Sequence, residues 1–196
     1  MVNSRIYEPP VQIIHLEKIE RRGIIIDIGG GGEGLVSRIE GSRVFAVDIQ
    51  MDEIREAGIH DPPSNWFVAD GMNLPFRNEM FDICTMWFSL GYMKDWLVKR
   101  TVLQEVYRVL KKDGLVSIIA MKIDCEEEKL VFKVDYYFPD GTPSRTGYGV
   151  RGNQNQTIET ISRLLDEIGF TIVETDDYVH WFKIYCSKSL KSGPIV

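Results

Sequence analysis

Three aspartates stand at or near the ends of three apolar runs. Asp27 sits in Ile24-Ile25-Ile26-Asp27-Ile28, Asp48 closes Val44-Phe45-Ala46-Val47, and Asp70 closes Trp66-Phe67-Val68-Ala69. Such runs read as strands buried on both faces of a parallel sheet. In that kind of sheet the ligand crevice lies beyond the carboxyl ends of the strands, so the three carboxylates are expected in one region. Between the first two acids stands Gly29-Gly30-Gly31-Gly32-Glu33-Gly34. Glycine lets the backbone turn sharply and lets a ligand approach it closely. A strand, a glycine turn and a helix N-terminus together form the usual cradle for a nucleotide-like ligand.

The acids narrow the choice of ligand. Asp48 follows the glycines at about the 20-residue distance at which a carboxylate meets a ribose diol. Asp70 lies one strand further out, where a base would offer an amino group. The spacing Gly29-x-Gly31-x-x-Gly34 also fits a dinucleotide fingerprint. Charge speaks against a pyrophosphate, because Asp27 before the turn and Glu33 within it oppose a phosphate and favour a cation. The chain also ends in two strands, not in a second nucleotide-binding half. S-adenosylmethionine, with adenine, ribose and a tail carrying a sulfonium and an ammonium, fits this pattern.

These residues need elements to position them. Residues 1–22 read as an N-terminal arm broken by Pro9-Pro10, followed by a short amphipathic helix over Val11 to Arg22 that Gly23 stops. Strands then alternate with helices as far as Met121, with Asp95 capping the longest helix, roughly Asp95 to Lys111. Residues 122–155 break the rhythm: an exposed strand over Leu130 to Phe138, a turn at Pro139 to Pro143 and a glycine-rich loop to Asn155. They read as an elaboration inside one domain spanning 1–196. Thr157 caps a last helix that Gly169 stops, and Phe170 to Thr175 and Tyr178 to Ser187 pair as a hairpin across Asp176-Asp177.

Composition sets outer bounds. The 196 residues are 44% hydrophobic, enough for one full α/β core. A net charge of −6 gives no electrostatic footprint for nucleic acid. No apolar run approaches the roughly 18–20 residues of a membrane span. Cys84, Cys125 and Cys186 are widely spaced and show no CxxC pattern, and His15, His60 and His180 are scattered. This pattern predicts free thiols in a reducing cytoplasm and no metal site.

In its motifs the chain resembles the class I S-adenosylmethionine-dependent methyltransferases, specifically the small-molecule branch that resembles the ubiquinone/menaquinone methyltransferases. The matching stretches are Ile26-Asp27-Ile28-Gly29-Gly30-Gly31, Val47-Asp48, and Ala69-Asp70-Gly71-Met72-Asn73-Leu74-Pro75-Phe76 leading into Phe81-Asp82-Ile83. Glu105-Val106-Tyr107-Arg108-Val109-Leu110-Lys111-Lys112-Asp113-Gly114-Leu115 comes last. The likeness covers roughly residues 22–122. It implies a Rossmann-like α/β fold with a seven-stranded, mostly parallel sheet of order 3-2-1-4-5-7-6, helices on both faces and a C-terminal antiparallel hairpin.

The resemblance also implies roles. Gly29 and Gly31, with Gly30 between them, lie against the methionine part of the cofactor, and Asp27 helps hold its ammonium. Asp48 binds the ribose hydroxyls and Ile49 packs on the adenine. Asp70 bonds the adenine amino group, with Gly71 and Met72 beside it. Met86-Trp87, at the end of strand four, approach the methionine tail. Three departures stand out. Glu33 occupies the place of a third loop glycine, Gly91-Tyr92 stand where many relatives carry histidines, and residues 1–22 are a short N-terminal cover. A substrate lid would then come from the insertion at 122–155 or from a partner subunit, a second copy in a homodimer being one such partner.

Methyl transfer from a sulfonium is an in-line displacement with a neutral leaving group, so positioning in a desolvated pocket can supply much of the catalysis. Tyr92 and His180 are the candidates for a catalytic role. Tyr7, Tyr136, Tyr137, Arg145 and Tyr148 are the candidates for holding a small-molecule acceptor. The expected activity is therefore S-adenosylmethionine-dependent methyl transfer, leaving S-adenosylhomocysteine. The alternatives are a catalytically silent S-adenosylmethionine-binding scaffold or activator subunit and, behind it, an NAD-dependent oxidoreductase.

Overall fold

A computed structural model describes residues 5–60, 62–93 and 95–189. The first four residues of the expected arm lie outside them. In chain order the elements are β1 (Ile6–Tyr7), β2 (Gln12–His15), β3 (Ile25–Ile28), α1 (Leu35–Glu40), β4 (Val44–Asp48), α2 (Met51–Gly58), β5 (Asn65–Val68) and β6 (Phe81–Trp87). A 3-10 turn at Ser89–Tyr92 leads to α3 (Trp96–Val109), β7 (Leu110–Met121), β8 (Lys129–Tyr137), β9 (Pro143–Arg151), α4 (Ile158–Ile168), β10 (Thr171–Asp177) and β11 (Trp181–Ser187).

Seven strands form the main sheet, in the order β5-β4-β3-β6-β7-β11-β10. β3, β4, β5, β6 and β7 run parallel, and β11 runs antiparallel to both β7 and β10. The architecture is thus the α/β sheet with a C-terminal antiparallel hairpin that the sequence leads one to expect. The core follows the strand alternation. Ile26, Ile28, Cys84 and Met86 face α3 and α4, while Ile25, Ile83 and Trp87 face α1 and a second sheet. Because Asp27 and Thr85 are register partners in β3 and β6, they share the face opposite Met86. The helix ends use the predicted devices. Asp95 accepts from the Val98 amide at 3.0 Å, Thr157 and Thr160 form a capping box, and Gly169 closes α4 in the left-handed region at φ 116°.

The second sheet revises the N-terminal reading. No helix forms over Val11 to Arg22. Gln12–His15 is instead a strand lying parallel to Val134–Tyr137 of β8, and Ile6–Tyr7 pairs with Lys129–Leu130 of the same strand. Its burial has a period of two, with Ile13 62% exposed and Ile14 1% exposed. Pairing with β8 gives this segment backbone partners and a buried face, whereas a helix of about 12 residues is marginal on its own. Residues 144–151, expected as part of a glycine-rich loop, belong with Pro143 to strand β9, paired with β8 along its whole length. β8 supplies Leu130, Phe132, Val134 and Tyr136 to the core, which is why this hairpin stays docked on the main sheet. Asp176 and Asp177 belong to β10, so the C-terminal hairpin turns at Tyr178–His180 instead.

Candidate active site

A cavity of about 550 Å³ opens beyond the carboxyl ends of β3, β4, β5 and β6. Asp27, Asp48 and Asp70 all line it, together with Gly29, Gly30, Gly31, Ile49, Gly71, Met72 and Trp87. Parallel strands that end side by side place their terminal residues along one rim, so three acids far apart in sequence become neighbours. Met86 does not take part. It is fully buried, because alternation along β6 turns it into the α3 side of the core and sends Trp87 the other way.

The glycine turn is shaped by close approach. Gly29 has φ 72°, and a Cβ there would stand 2.5 Å from the Cβ of Ser89. At Gly31 a Cβ would stand 2.5 Å from that of Glu53 and 2.9 Å from Asp48 Oδ2. The amides of the turn's glycines are already engaged. Gly29 and Gly30 donate to the Val47 carbonyl, Gly32 to the Glu53 carbonyl, and Gly34 to the Gly31 carbonyl. Gly31 donates to Asp48 Oδ2 at 3.3 Å. A phosphate-binding turn keeps such donors free for its anion. This one turns them inward and surrounds itself with carboxylates.

Each acid is held in a definite pose. Asp27 is 3% exposed, and its Oδ1 accepts from Thr85 Oγ1 at 2.6 Å. Burial pushes its pKa up from 3.8 to about 7, against the lowering hydrogen bond from Thr85 and with the nearby charge of Asp48 adding to the rise. Asp48 Oδ1 accepts from the Gln50 amide at 2.9 Å, which aims the carboxylate across the rim. Asp70 Oδ1 accepts from the Met72 amide at 2.9 Å, fixing the turn that follows β5. Glu33 also lines the cavity, but its carboxylate accepts from Ser144 Oγ of β9 at 2.8 Å and lies 3.6 Å from Arg38. It therefore ties the glycine turn to the second sheet.

The far wall is aromatic. Phe88 and Tyr148 stack with ring centroids 5.0 Å apart, and Tyr92 meets Tyr148 edge-on at 6.4 Å. Both tyrosines line the cavity, and burial raises the pKa of each phenol above its ordinary value. The other sequence candidates lie elsewhere. Tyr136 is fully buried behind the wall, with its hydroxyl 2.8 Å from that of Tyr148. Tyr137 stacks on His15, and Arg145 pairs with Asp135. Tyr7 packs beside the second sheet's core, and His180 sits in the β10–β11 turn; neither lines the cavity. Sequence reasoning missed Glu53, Ser89, Thr146 and Gly147, which also line it. Glu53 carries a local signal, since a helix starting just past a strand end presents its first turn to the same cleft. Thr146 and Gly147 carry none, because only the pairing of β9 with β8 brings them there.

Residues 26–118 match the family model described as a methyltransferase domain. The ubiquinone/menaquinone biosynthesis C-methyltransferase of Pectobacterium atrosepticum is 29% identical over 118 residues, covering 54% of this chain and 45% of that protein. The demethylmenaquinone methyltransferase of Streptomyces griseus is 32% identical over 108 residues, 55% of this chain and 39% of that protein. The chain therefore spans less than half the length of these curated relatives. A solved S-adenosylmethionine-dependent methyltransferase from Methanosarcina mazei shares the fold at a TM-score of 0.67 and 19% identity, over 88% of this chain and 95% of that one.

Proposed function

By family motif and by fold the chain carries a class I S-adenosylmethionine-dependent methyltransferase domain, and from that premise we propose that it transfers a methyl group from S-adenosylmethionine to a small-molecule acceptor. The observation that carries the reading is the run of Asp70, Asp48 and Asp27 along one rim, at the ends of three adjacent parallel strands, around a turn whose glycine amides are already engaged. The strand order then orders the ligand. Adenine lies at Asp70 between the exposed apolar side chains of Ile49 and Met72, ribose at Asp48, and the ammonium of the methionine tail at Asp27. When bound, this cofactor supplies an activated methyl group whose departure leaves a neutral thioether.

The chain's own contribution is to hold the donor, exclude water and present the acceptor against Trp87, Phe88, Tyr92 and Tyr148. The Tyr92 phenol holds its proton at neutral pH and acts as a hydrogen-bond donor there, not as a base, while the Tyr148 hydroxyl is engaged with that of Tyr136. The acceptors that suit such a wall are ones whose nucleophile needs no phenolate base, such as a thiol, an enol or an acidic phenol. In this reading the hairpin β8–β9 serves as the acceptor lid. Incubation with S-adenosylmethionine and a panel of such acceptors tests the proposal. Acceptor-dependent release of S-adenosylhomocysteine is expected. Cofactor binding without transfer to any member would favour the silent scaffold, and binding of NAD in its place would favour the oxidoreductase.

A further inference from the structure

We infer that the acceptor carries an ammonium group apart from its nucleophile, seated in the corner between the rings of Tyr92 and Tyr148 with Glu53 as its counter-charge. This rests on the proposed function and deepens it by naming the acceptor class. Of the described residues that line the cavity, Asp27, Glu33, Asp48, Glu53, Glu56 and Asp70 are acids, and none is Lys, Arg or His. The donor brings one net positive charge, summed over its sulfonium, ammonium and carboxylate. With the donor bound the cavity stays acidic, so an acceptor bearing a carboxylate or a phosphate is repelled and a cationic one is drawn in.

The positions of the acids single out Glu53. Asp27, Asp48 and Asp70 serve the cofactor in the proposed arrangement, Glu33 is held by Ser144 and Arg38, and Glu56 is exposed. Glu53 is half-buried in the first turn of α2. A Cβ on Gly31 would stand 2.5 Å from its Cβ, and one on Gly32 3.1 Å from its Oε2, so it is seated on the glycine turn. No hydrogen bond or ion pair from the described residues reaches its carboxylate. Burial pushes its pKa up, and the charges of Asp48, Glu56 and Asp52 add to the rise, so its charged neighbours are acids. It is near enough to Tyr92 to raise that phenol too, second to burial. Tyr92 is 57% exposed, and its ring meets that of Tyr148 at 68°, so the two form a corner on the cavity wall. The Tyr148 hydroxyl is taken by Tyr136, which leaves its ring to the ligand. Aromatic faces attract an ammonium, and a carboxylate beside them balances its charge.

Calorimetric titration of the chain saturated with S-adenosylhomocysteine tests this, using three phenols that differ at one end. Tyramine carries an ammonium, 4-ethylphenol no charge and 4-hydroxyphenylacetate a carboxylate. Tyramine should bind at least about tenfold more tightly than 4-hydroxyphenylacetate, with 4-ethylphenol between them, the size expected for a unit charge beside a partly buried carboxylate. Glu53→Gln should weaken tyramine about fivefold or more and leave 4-ethylphenol unchanged. Tyr92→Leu, which removes an exposed ring, should cut the preference for tyramine over 4-ethylphenol about threefold. Equal binding of the three phenols, no binding of tyramine, or variants that keep the wild-type preference would overturn the assignment. So would an equal loss of tyramine and 4-ethylphenol in Glu53→Gln, which would mean that Glu53 only shapes the wall. Both variants should still bind S-adenosylhomocysteine, which shows that they are folded. Loss of that binding by Glu53→Gln at an unchanged melting temperature would place Glu53 in the cofactor's seat and overturn its acceptor role. A wild-type chain that does not bind S-adenosylhomocysteine refutes the proposed function itself, and this inference with it.

Discussion

Asp27 is the residue on which the charge logic of the site turns. Its carboxyl is pushed up to about 7 by burial, and an acid so raised favours its protonated form in the folded chain. Its contribution to stability is therefore full below the ordinary value of 3.8 and is lost as pH rises through about 7. A ligand ammonium favours the carboxylate, so binding releases a proton wherever Asp27 starts protonated. The affinity for S-adenosylhomocysteine should accordingly rise by up to about tenfold per pH unit below roughly 7 and level off above it. Titrations in buffers of different ionisation enthalpy would count the released proton. Asp27→Asn should bind more weakly and lose this pH slope. Thr85→Val removes the bond that holds the pKa down, so the bend should move to higher pH.

The second sheet is the element that the local pattern least foretold. Val11, Ile14 and Ile19 satisfy a helical spacing, yet Gln12–His15 pairs with β8, far along the chain. A strand buries alternate residues, so neighbouring isoleucines should differ sharply. Ile14→Ala should cost about 2–4 kcal/mol in urea denaturation, since it empties a fully buried position. Ile13→Ala, on the solvent side, should stay within about 0.5 kcal/mol. Similar costs for both would contradict the strand. The same sheet bears on the site, because Ser144 and Tyr148 of β9 reach Glu33 and Phe88. Ser144→Ala should loosen this tie between the acceptor wall and the glycine turn. Faster protease cleavage within residues 138–151 of the ligand-free chain, with the melting temperature little changed, would show it.

Across the whole molecule, sequence and structure agree where the determinants are local. Parallel strands announce themselves as apolar runs, although β5 before Asp70 proves a half-exposed edge strand and not one buried on both faces, and their terminal acids share a rim by topology alone, so Asp27, Asp48 and Asp70 were legible together. The caps Asp95, Thr157 and Gly169 were legible for the same reason. What escaped depends on distant pairing or on which way a side chain points. Thr146 and Gly147 reach the cavity only through the β8–β9 register, and Met86 loses its place to Trp87 by one step of alternation. A chain whose rim holds a ligand should also be stabilised by it, by about 2.7 kcal/mol at a hundredfold excess over Kd, read as a rise in melting temperature. Titration of the chain with S-adenosylhomocysteine, repeated on Asp48→Ala, tests the central claim most directly. The expected result is saturable binding of one ligand per chain, weakened at least about 30-fold when the two ribose hydrogen bonds are lost. Absence of binding, or an affinity that Asp48→Ala leaves unchanged, would contradict it.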